Sequence, residues 1–226
     1  MNEFVNGKAQ QTLPTPLAPH EAQIDEFVGQ CHALCLRILE LVAIGLEIDP
    51  SAGGKDWFSP FHDRKGGASG SVFRLLYYPT LLTSNLSYDA EKDIRAGAHS
   101  DYGTITLLFQ REGQPGLEIL TDAEKQTWYP VPVNPTSETT LPILVNVGDL
   151  LSYWTNGALK SAVHRVTFPK DSIGGDRYSI AYFCHPRDEA RLEAVPSKKL
   201  QSRGNVEGPT LTAKQHLESR LAKTYD

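Results

Sequence analysis

Three cysteines are too few, and too irregularly placed, to staple a fold. Cys31 and Cys35 stand one helical turn apart and Cys184 is isolated. No CxxC pair therefore offers a thiolate zinc site, and the thiols read as reduced core residues. A run of 18 apolar residues is also missing, so no membrane span is expected. The first eleven residues are polar and lack the apolar centre of a signal peptide, which makes the cytoplasm the expected location. Positive charge is not in excess. Lys and Arg number 22 against 27 Asp and Glu, a formal net charge of -5, the wrong sign for a chain that grips phosphate backbones. There is no internal repeat and no GxSxG elbow of a serine hydrolase. Glycine-rich stretches exist, but neither suits a nucleotide. Gly53-Gly54-Lys55 runs into Asp56 rather than Ser or Thr. Gly66-Gly67-Ala68-Ser69-Gly70 precedes a strand, whereas a dinucleotide fingerprint follows one.

What remains is an ordinary globular composition, 40% hydrophobic and 22% charged over 226 residues, enough for one large domain. Prolines at 14, 16 and 19 mark an extended leader over residues 1–23. Ile24, Phe27, Val28, Cys31, Leu34, Cys35, Ile38, Leu41 and Val42 then recur every three or four positions, which predicts an amphipathic helix ending near Gly45. Residues 49–70, with Trp57, Phe58 and Phe61, read as a long loop, functional or mobile. Beyond it the apolar runs become short and strand-like: 72–78, 104–110, 117–120, 143–147, 163–168 and 178–183. Turn signals such as Gln114-Pro115-Gly116, Gly148-Asp149 and Gly174-Gly175 separate them. A closing helix is expected over 212–225, with Leu217 and Leu221 four apart. Strands without intervening helices predict a mainly β double sheet or barrel, with helices added at both ends.

His99-Ser100-Asp101 carries the first chemical signal. On a strand, residues i and i+2 share a face, so an imidazole and a carboxylate so spaced can grip one ion. His164, in the stretch Ser161-Ala162-Val163-His164-Arg165-Val166, is a candidate third ligand. Two imidazoles and one carboxylate leave adjacent positions open, as non-haem Fe(II) requires. Arg177-Tyr178-Ser179 follows. An arginine fork with a hydroxyl on the same strand face is a receptor for a carboxylate, provided the strand faces inward rather than lying at an edge. His62-Asp63 point to opposite faces of extended chain and read as loop residues near an entrance. His185-Pro186-Arg187 reads as a strand exit.

The order HxD, distal His, RxS resembles the iron- and 2-oxoglutarate-dependent oxygenases of the isopenicillin N synthase-like branch, in the wording of fungal members. The flanking text agrees: Phe73-Arg74-Leu75-Leu76-Tyr77-Tyr78-Pro79, Ala98 to Thr104 around the HxD, Asn146-Val147-Gly148-Asp149 and Thr155-Asn156-Gly157. The likeness implies a double-stranded β-helix (jelly-roll) over about 70–188 with flanking α-helices, within an oxygenase domain over 24–226. By position it implies that His99, Asp101 and His164 ligate Fe(II). Arg177 and Ser179 would hold the distal carboxylate of 2-oxoglutarate, with Tyr78 as a further donor. Arg74, Tyr102 and Phe183 fall at the substrate wall. O2 would be the co-reactant and a small molecule the substrate, with no nucleic acid or membrane as partner. Such relatives carry a long region ahead of the first helix, and its lack here predicts an uncovered sheet edge and apolar faces. Two other readings stay open on the residues alone: a non-catalytic metal-binding relative, and a zinc hydrolase on the same three ligands.

Overall fold

The computed structural model describes residues 4–5, 8–80, 94–168, 175–201 and 210–225. In chain order the elements are β1 (Phe4–Val5), β2 (Lys8–Ala9), α1 (Glu21–Gly45), β3 (Val72–Tyr78), β4 (Ile94–His99) and β5 (Ile105–Gln110). They continue with β6 (Leu117–Asp122), β7 (Thr127–Pro130), β8 (Leu144–Val147), α2 (Asp149–Trp154), β9 (His164–Thr167), β10 (Arg177–Cys184), α3 (Lys198–Gln201) and α4 (Ala213–Tyr225). Gly174 of the expected turn and residues 1–3 and 6–7 of the expected leader lie outside the described residues. The segment ahead of α1 is not uniformly extended. The Glu21 carboxylate accepts from Lys8 Nζ and from the Ala9 N–H, both at 3.0 Å, and folds it back on the helix.

Eight strands form two antiparallel sheets, in the orders β3-β10-β5-β8 and β4-β9-β6-β7. Each strand of one sheet alternates with a strand of the other along the chain for most of its course, and the result is a double-stranded β-helix. Period-2 patterning sorts the first sheet's residues onto two faces. On β10, Arg177, Ser179, Ala181 and Phe183 face the second sheet across a cavity. Tyr182 and Cys184 face outward onto α1 and are buried beneath it.

The core lies under that helix. Val28, Cys31, Cys35, Leu39 and Ala43 form its buried stripe. Phe27 meets Phe73 and Phe109 at centroid distances of 5.9 and 5.2 Å, and His32 Nδ1 lies 3.1 Å from the Tyr182 hydroxyl. By length and composition α1 is long and apolar enough to cross a bilayer, despite the lack of an unbroken apolar run. In this fold its apolar stripe packs on the sheet. All three cysteines are free and buried, and burial, with Cys35 beside it, raises the Cys31 thiol to about 12. A thiol raised that far stays protonated and unreactive.

The outer face of the first sheet is only partly covered. Leu75, Tyr77 and Tyr178 remain exposed, and Tyr77 and Tyr178 stack on one another at 4.9 Å.

Residues 49–70 are not an open loop. Three short 3-10 turns fold Trp57, Phe58 and Phe61 against Trp154 of α2, with ring centroids 5.3, 5.5 and 5.1 Å from it. His62, expected near an entrance, is fully buried in this cluster. Its Nδ1 lies 2.9 Å from the Phe58 carbonyl and its Nε2 3.0 Å from Thr104 Oγ1. The imidazole stacks on the Trp154 ring, 6.4 Å between centroids.

Candidate metal centre

His99 is the last residue of β4 and His164 the first of β9, and the two are paired directly across the antiparallel ladder. That pairing brings their rings to 4.4 Å between centroids. Asp101 does not reach the same point by strand pleat, as the HxD spacing suggested. The strand ends at His99, and the irregular turn after it swings the carboxylate inward. Asp101 Oδ1 lies 3.9 Å from His99 Nε2 and 3.7 Å from His164 Nε2. The three ligand atoms all fall within 4.8 Å of one another.

Each donor is held from behind. His99 Nδ1 is 2.7 Å from the Gly97 carbonyl and His164 Nδ1 3.0 Å from that of Ala162. Each Nδ1–H therefore donates to backbone, leaving both Nε2 lone pairs aimed at one point. The buried Asp101 carboxylate accepts at Oδ2 from Thr106 Oγ1 and Asn146 Nδ2, each at 2.7 Å. Its Oδ1 is left to face the imidazoles. Two neutral nitrogens, one carboxylate oxygen and no thiolate suit a borderline-hard divalent ion that keeps open positions, Fe(II) among them.

The turn that carries Asp101 is packed backbone on backbone. The N–H groups of Gly148, Asp149 and Leu150 donate to the carbonyls of Thr104, Asp101 and Gly103 at 3.0, 2.7 and 3.1 Å. A Cβ at Gly148 would lie 2.2 Å from the Gly103 carbonyl oxygen, so only glycine permits this approach.

Arg177 lies in the same cavity. It is 1% exposed, and β10 is an inner strand of its sheet, which removes the edge-strand reading. Nη1 donates to Ser179 Oγ and Nη2 to Gln110 Oε1, both at 3.2 Å, while Nε has no partner among the described residues. The guanidinium carbon lies 5.5 Å from the Tyr78 ring centroid, across the β3–β10 ladder. Among the described residues no carboxylate pairs with it. Burial lowers its pKa, partly countered by Tyr78 and reinforced by Arg95. A desolvated cation with neutral partners and an unused donor is a receptor waiting for an anion.

The cavity, of about 300 Å³, is lined by the whole triad and by Tyr78, Arg177 and Ser179. Arg74 and Phe183 also line it, with the guanidinium 5.3 Å from the ring centroid. Tyr102 does not. Its ring lies beside Arg220 of α4, 5.9 Å from the guanidinium carbon, because the turn that brings Asp101 inward sends its neighbour outward. Sequence reasoning missed Thr106, Gln110 and the role of Asn146. Gln110 carried no motif, but it stands opposite Ser179 in the β5–β10 register.

Known proteins resemble this chain in sequence and fold. Residues 69–186 match the sequence profile of the 2OG-Fe(II) oxygenase superfamily. The proline hydroxylase buaE of Petromyces alliaceus is 33% identical over 90% of this chain and 60% of its own length. A protein of Schizosaccharomyces pombe, UPF0676 protein C1494.01, is 36% identical over 98% of this chain and 62% of its own. Among solved structures, full-length Neurospora crassa thymine 7-hydroxylase in complex with alpha-KG superposes with a TM-score of 0.75 at 28% identity, covering 98% of this chain and 64% of that one. The chain thus spans about three fifths of the length of these relatives. The matched stretch runs from just before β3 to just after β10, so it contains both sheets, the three converging ligands and the buried arginine, and the chain belongs to the 2OG-Fe(II) oxygenase superfamily.

Proposed function

We propose that this chain is an Fe(II)- and 2-oxoglutarate-dependent oxygenase that oxidises, most simply by hydroxylation, a C–H bond of a small organic molecule. One observation carries the reading. The His99, Asp101, His164 triad and the buried Arg177, which has no carboxylate partner among the described residues, open into a single cavity of about 300 Å³.

The donor set fits Fe(II), and Arg177 with Ser179 fits the distal carboxylate of a dicarboxylic keto acid. His99 Nε2, Asp101 Oδ1 and His164 Nε2 would hold the metal. Arg177 would supply charge and two-pronged orientation, and Ser179 a hydroxyl beside it. Tyr78 walls the same corner and limits how far the anion can shift. When bound, the metal, with 2-oxoglutarate and O2, supplies the oxidising chemistry, and the keto acid leaves as succinate and CO2. The protein's part is geometric and dielectric. It locks both histidine tautomers, orients the Asp101 carboxylate through two donors, and surrounds the reacting centre with Leu76, Leu108, Ile119 and Val166, which exclude water.

A cavity at the small end of ligand pockets suits a compact substrate. Arg74 and Phe183 offer it a cation and a ring face at the wall. The Neurospora crassa relative was solved with alpha-KG and thymine, which supports a small polar organic substrate here as well.

The test is succinate release from 2-oxoglutarate under air with Fe(II). The wild-type chain is expected to release succinate, and Asp101→Ala to release none above the metal-free background. Full succinate formation by Asp101→Ala would overturn the proposal.

A further inference from the structure

The turn between His99 and Asp101 is held from outside the double sheet, by the C-terminal helix. Ser100 sits between the two ligands and points away from them. Its Oγ donates to Asp149 Oδ2 at 2.9 Å. Arg220, two turns into α4, reaches the same carboxylate oxygen with Nη2 at 2.7 Å and lies 3.4 Å from Ser100 Oγ. Its guanidinium also lies beside the Tyr102 ring, 5.9 Å from carbon to centroid. Asp149 closes the loop through its backbone N–H, which donates to the Asp101 carbonyl at 2.7 Å. The ion pair is largely shielded, with the Asp149 side chain 14% exposed and that of Arg220 34%.

We propose that Arg220 is a positioning residue for the metal centre: through Asp149 and Ser100 it fixes the turn that presents His99 and Asp101. The physical case is one of lost freedom. A three-residue turn carrying two ligands has two soft dihedrals per residue. Three anchors remove most of that freedom: the Ser100 hydroxyl, the Asp101 carbonyl and the Tyr102 ring face. Two of them converge on Asp149, and a carboxylate with little solvent around it holds its position only while its counterion is present. Without Arg220 the Asp149 carboxylate turns toward water, Ser100 loses its acceptor, and the ligands sample several arrangements before metal binds. Groups that orient metal ligands from behind commonly contribute about 10- to 100-fold in affinity. Arg220 acts one bond further out, so about tenfold is expected.

This rests on the triad being the metal site, and the experiment separates the two claims. Co(II) is titrated into the full chain, following its visible d–d absorption. Arg220→Gln is expected to weaken Co(II) binding about tenfold and to alter the band shape. Arg220→Lys, which keeps the charge but not the planar fork, should recover part of the affinity. Leu217→Ala is the control for helix docking alone, since Leu217, one turn before Arg220 on α4, packs near Gly70 and carries no group that could hydrogen-bond Asp149 or Ser100. It should lower stability and leave the Co(II) dissociation constant and spectrum unchanged. Ser100→Ala leaves the helix intact and carries the test should the Arg220 variants fold poorly; a weakened Co(II) constant is expected. Wild-type affinity and spectrum in Arg220→Gln, or in Ser100→Ala, would overturn the positioning role. So would an equal loss of affinity in Leu217→Ala. A wild-type chain that binds no Co(II) would overturn the site reading itself, and this inference with it.

Discussion

Thr106 Oγ1 donates to Asp101 Oδ2 at 2.7 Å, and that bond divides the carboxylate into two working halves. One oxygen is occupied by Thr106 and Asn146, and the other faces both imidazoles. Threonine at this point on β5 also stands opposite Asn146 in the β5–β8 ladder, so both donors come from one cross-strand pair.

Thr106→Val keeps the shape and removes the donor. The buried carboxylate then keeps one partner, Asn146, and regains rotation about its last torsion. Divalent metal affinity is expected to fall about tenfold, with a stability loss of about 2 kcal/mol for a hydrogen bond to a charged group. Calorimetric Co(II) titration and urea denaturation check both. Unchanged affinity would show that Asn146 alone sets the orientation.

Arg177 sets binding against stability. Its substitution by Lys or Ala is expected to raise the 2-oxoglutarate concentration needed for half-maximal succinate release by about 100-fold, the loss typical of a buried charged contact. Co(II) affinity without the keto acid should stay at the wild-type value. Arg177→Met goes further, because a desolvated cation without an anionic partner destabilises the empty protein. That variant is expected to gain about 1 kcal/mol in denaturant unfolding while losing keto acid binding. A less stable Arg177→Met would show that the Gln110 and Ser179 contacts outweigh the desolvation cost.

Much of this was legible in the chain, and what was not has identifiable causes. Strands whose residues alternate strongly or run apolar, such as 72–78 and 178–183, were readable by period. β4, Ile94-Arg95-Ala96-Gly97-Ala98-His99, was not, because small residues dominate it and its pairing with β9 is broken by register shifts. β7 has four residues and ends in Pro130. The three metal ligands were readable because their chemistry and order constrain one another. Tyr102 is set at the substrate wall by the resemblance alone, and position in a motif does not fix side-chain direction where, as here, the strand has ended. His62 was misplaced because burial against Trp154 depends on a contact 92 positions away in sequence, which no local pattern encodes. Thr106, Gln110 and Asn146 gain their meaning only from strand register.

Gly148 is the tightest point in the site's scaffold. Any side chain there meets the Gly103 carbonyl at 2.2 Å, and that carbonyl is itself pinned by the Leu150 N–H. Backbone cannot swing aside as a side-chain end can. Gly148→Ala is therefore expected to cost about 3 kcal/mol or more, by overpacking, and to abolish Co(II) binding by displacing the turn that carries Asp101. Thermal unfolding and metal titration of the same sample test the pair of effects. A stable Gly148→Ala that binds metal normally would mean the turn can relax away from α2.

Buried histidines outside the triad make stability depend on pH. Burial lowers His62 to about 4, partly opposed by its Phe58 carbonyl partner. Burial also lowers His185 to about 4, helped by the neighbouring His62 and His216. In the unfolded chain each titrates near 6.5. Between about pH 4 and 6.5 the unfolded chain thus binds protons that the folded chain refuses, and stability must rise with pH across that window. Above 6.5 the contribution is fully present; as pH falls through the window toward 4 it is lost, by up to about 3 kcal/mol for each ring. Urea midpoints measured from pH 4.5 to 7.5 are expected to climb and then level off. His62→Gln, whose amide cannot take up a proton, should climb less steeply than wild type over the same range. Parallel curves for the two proteins would remove His62 from the account, whatever the absolute stability of the variant.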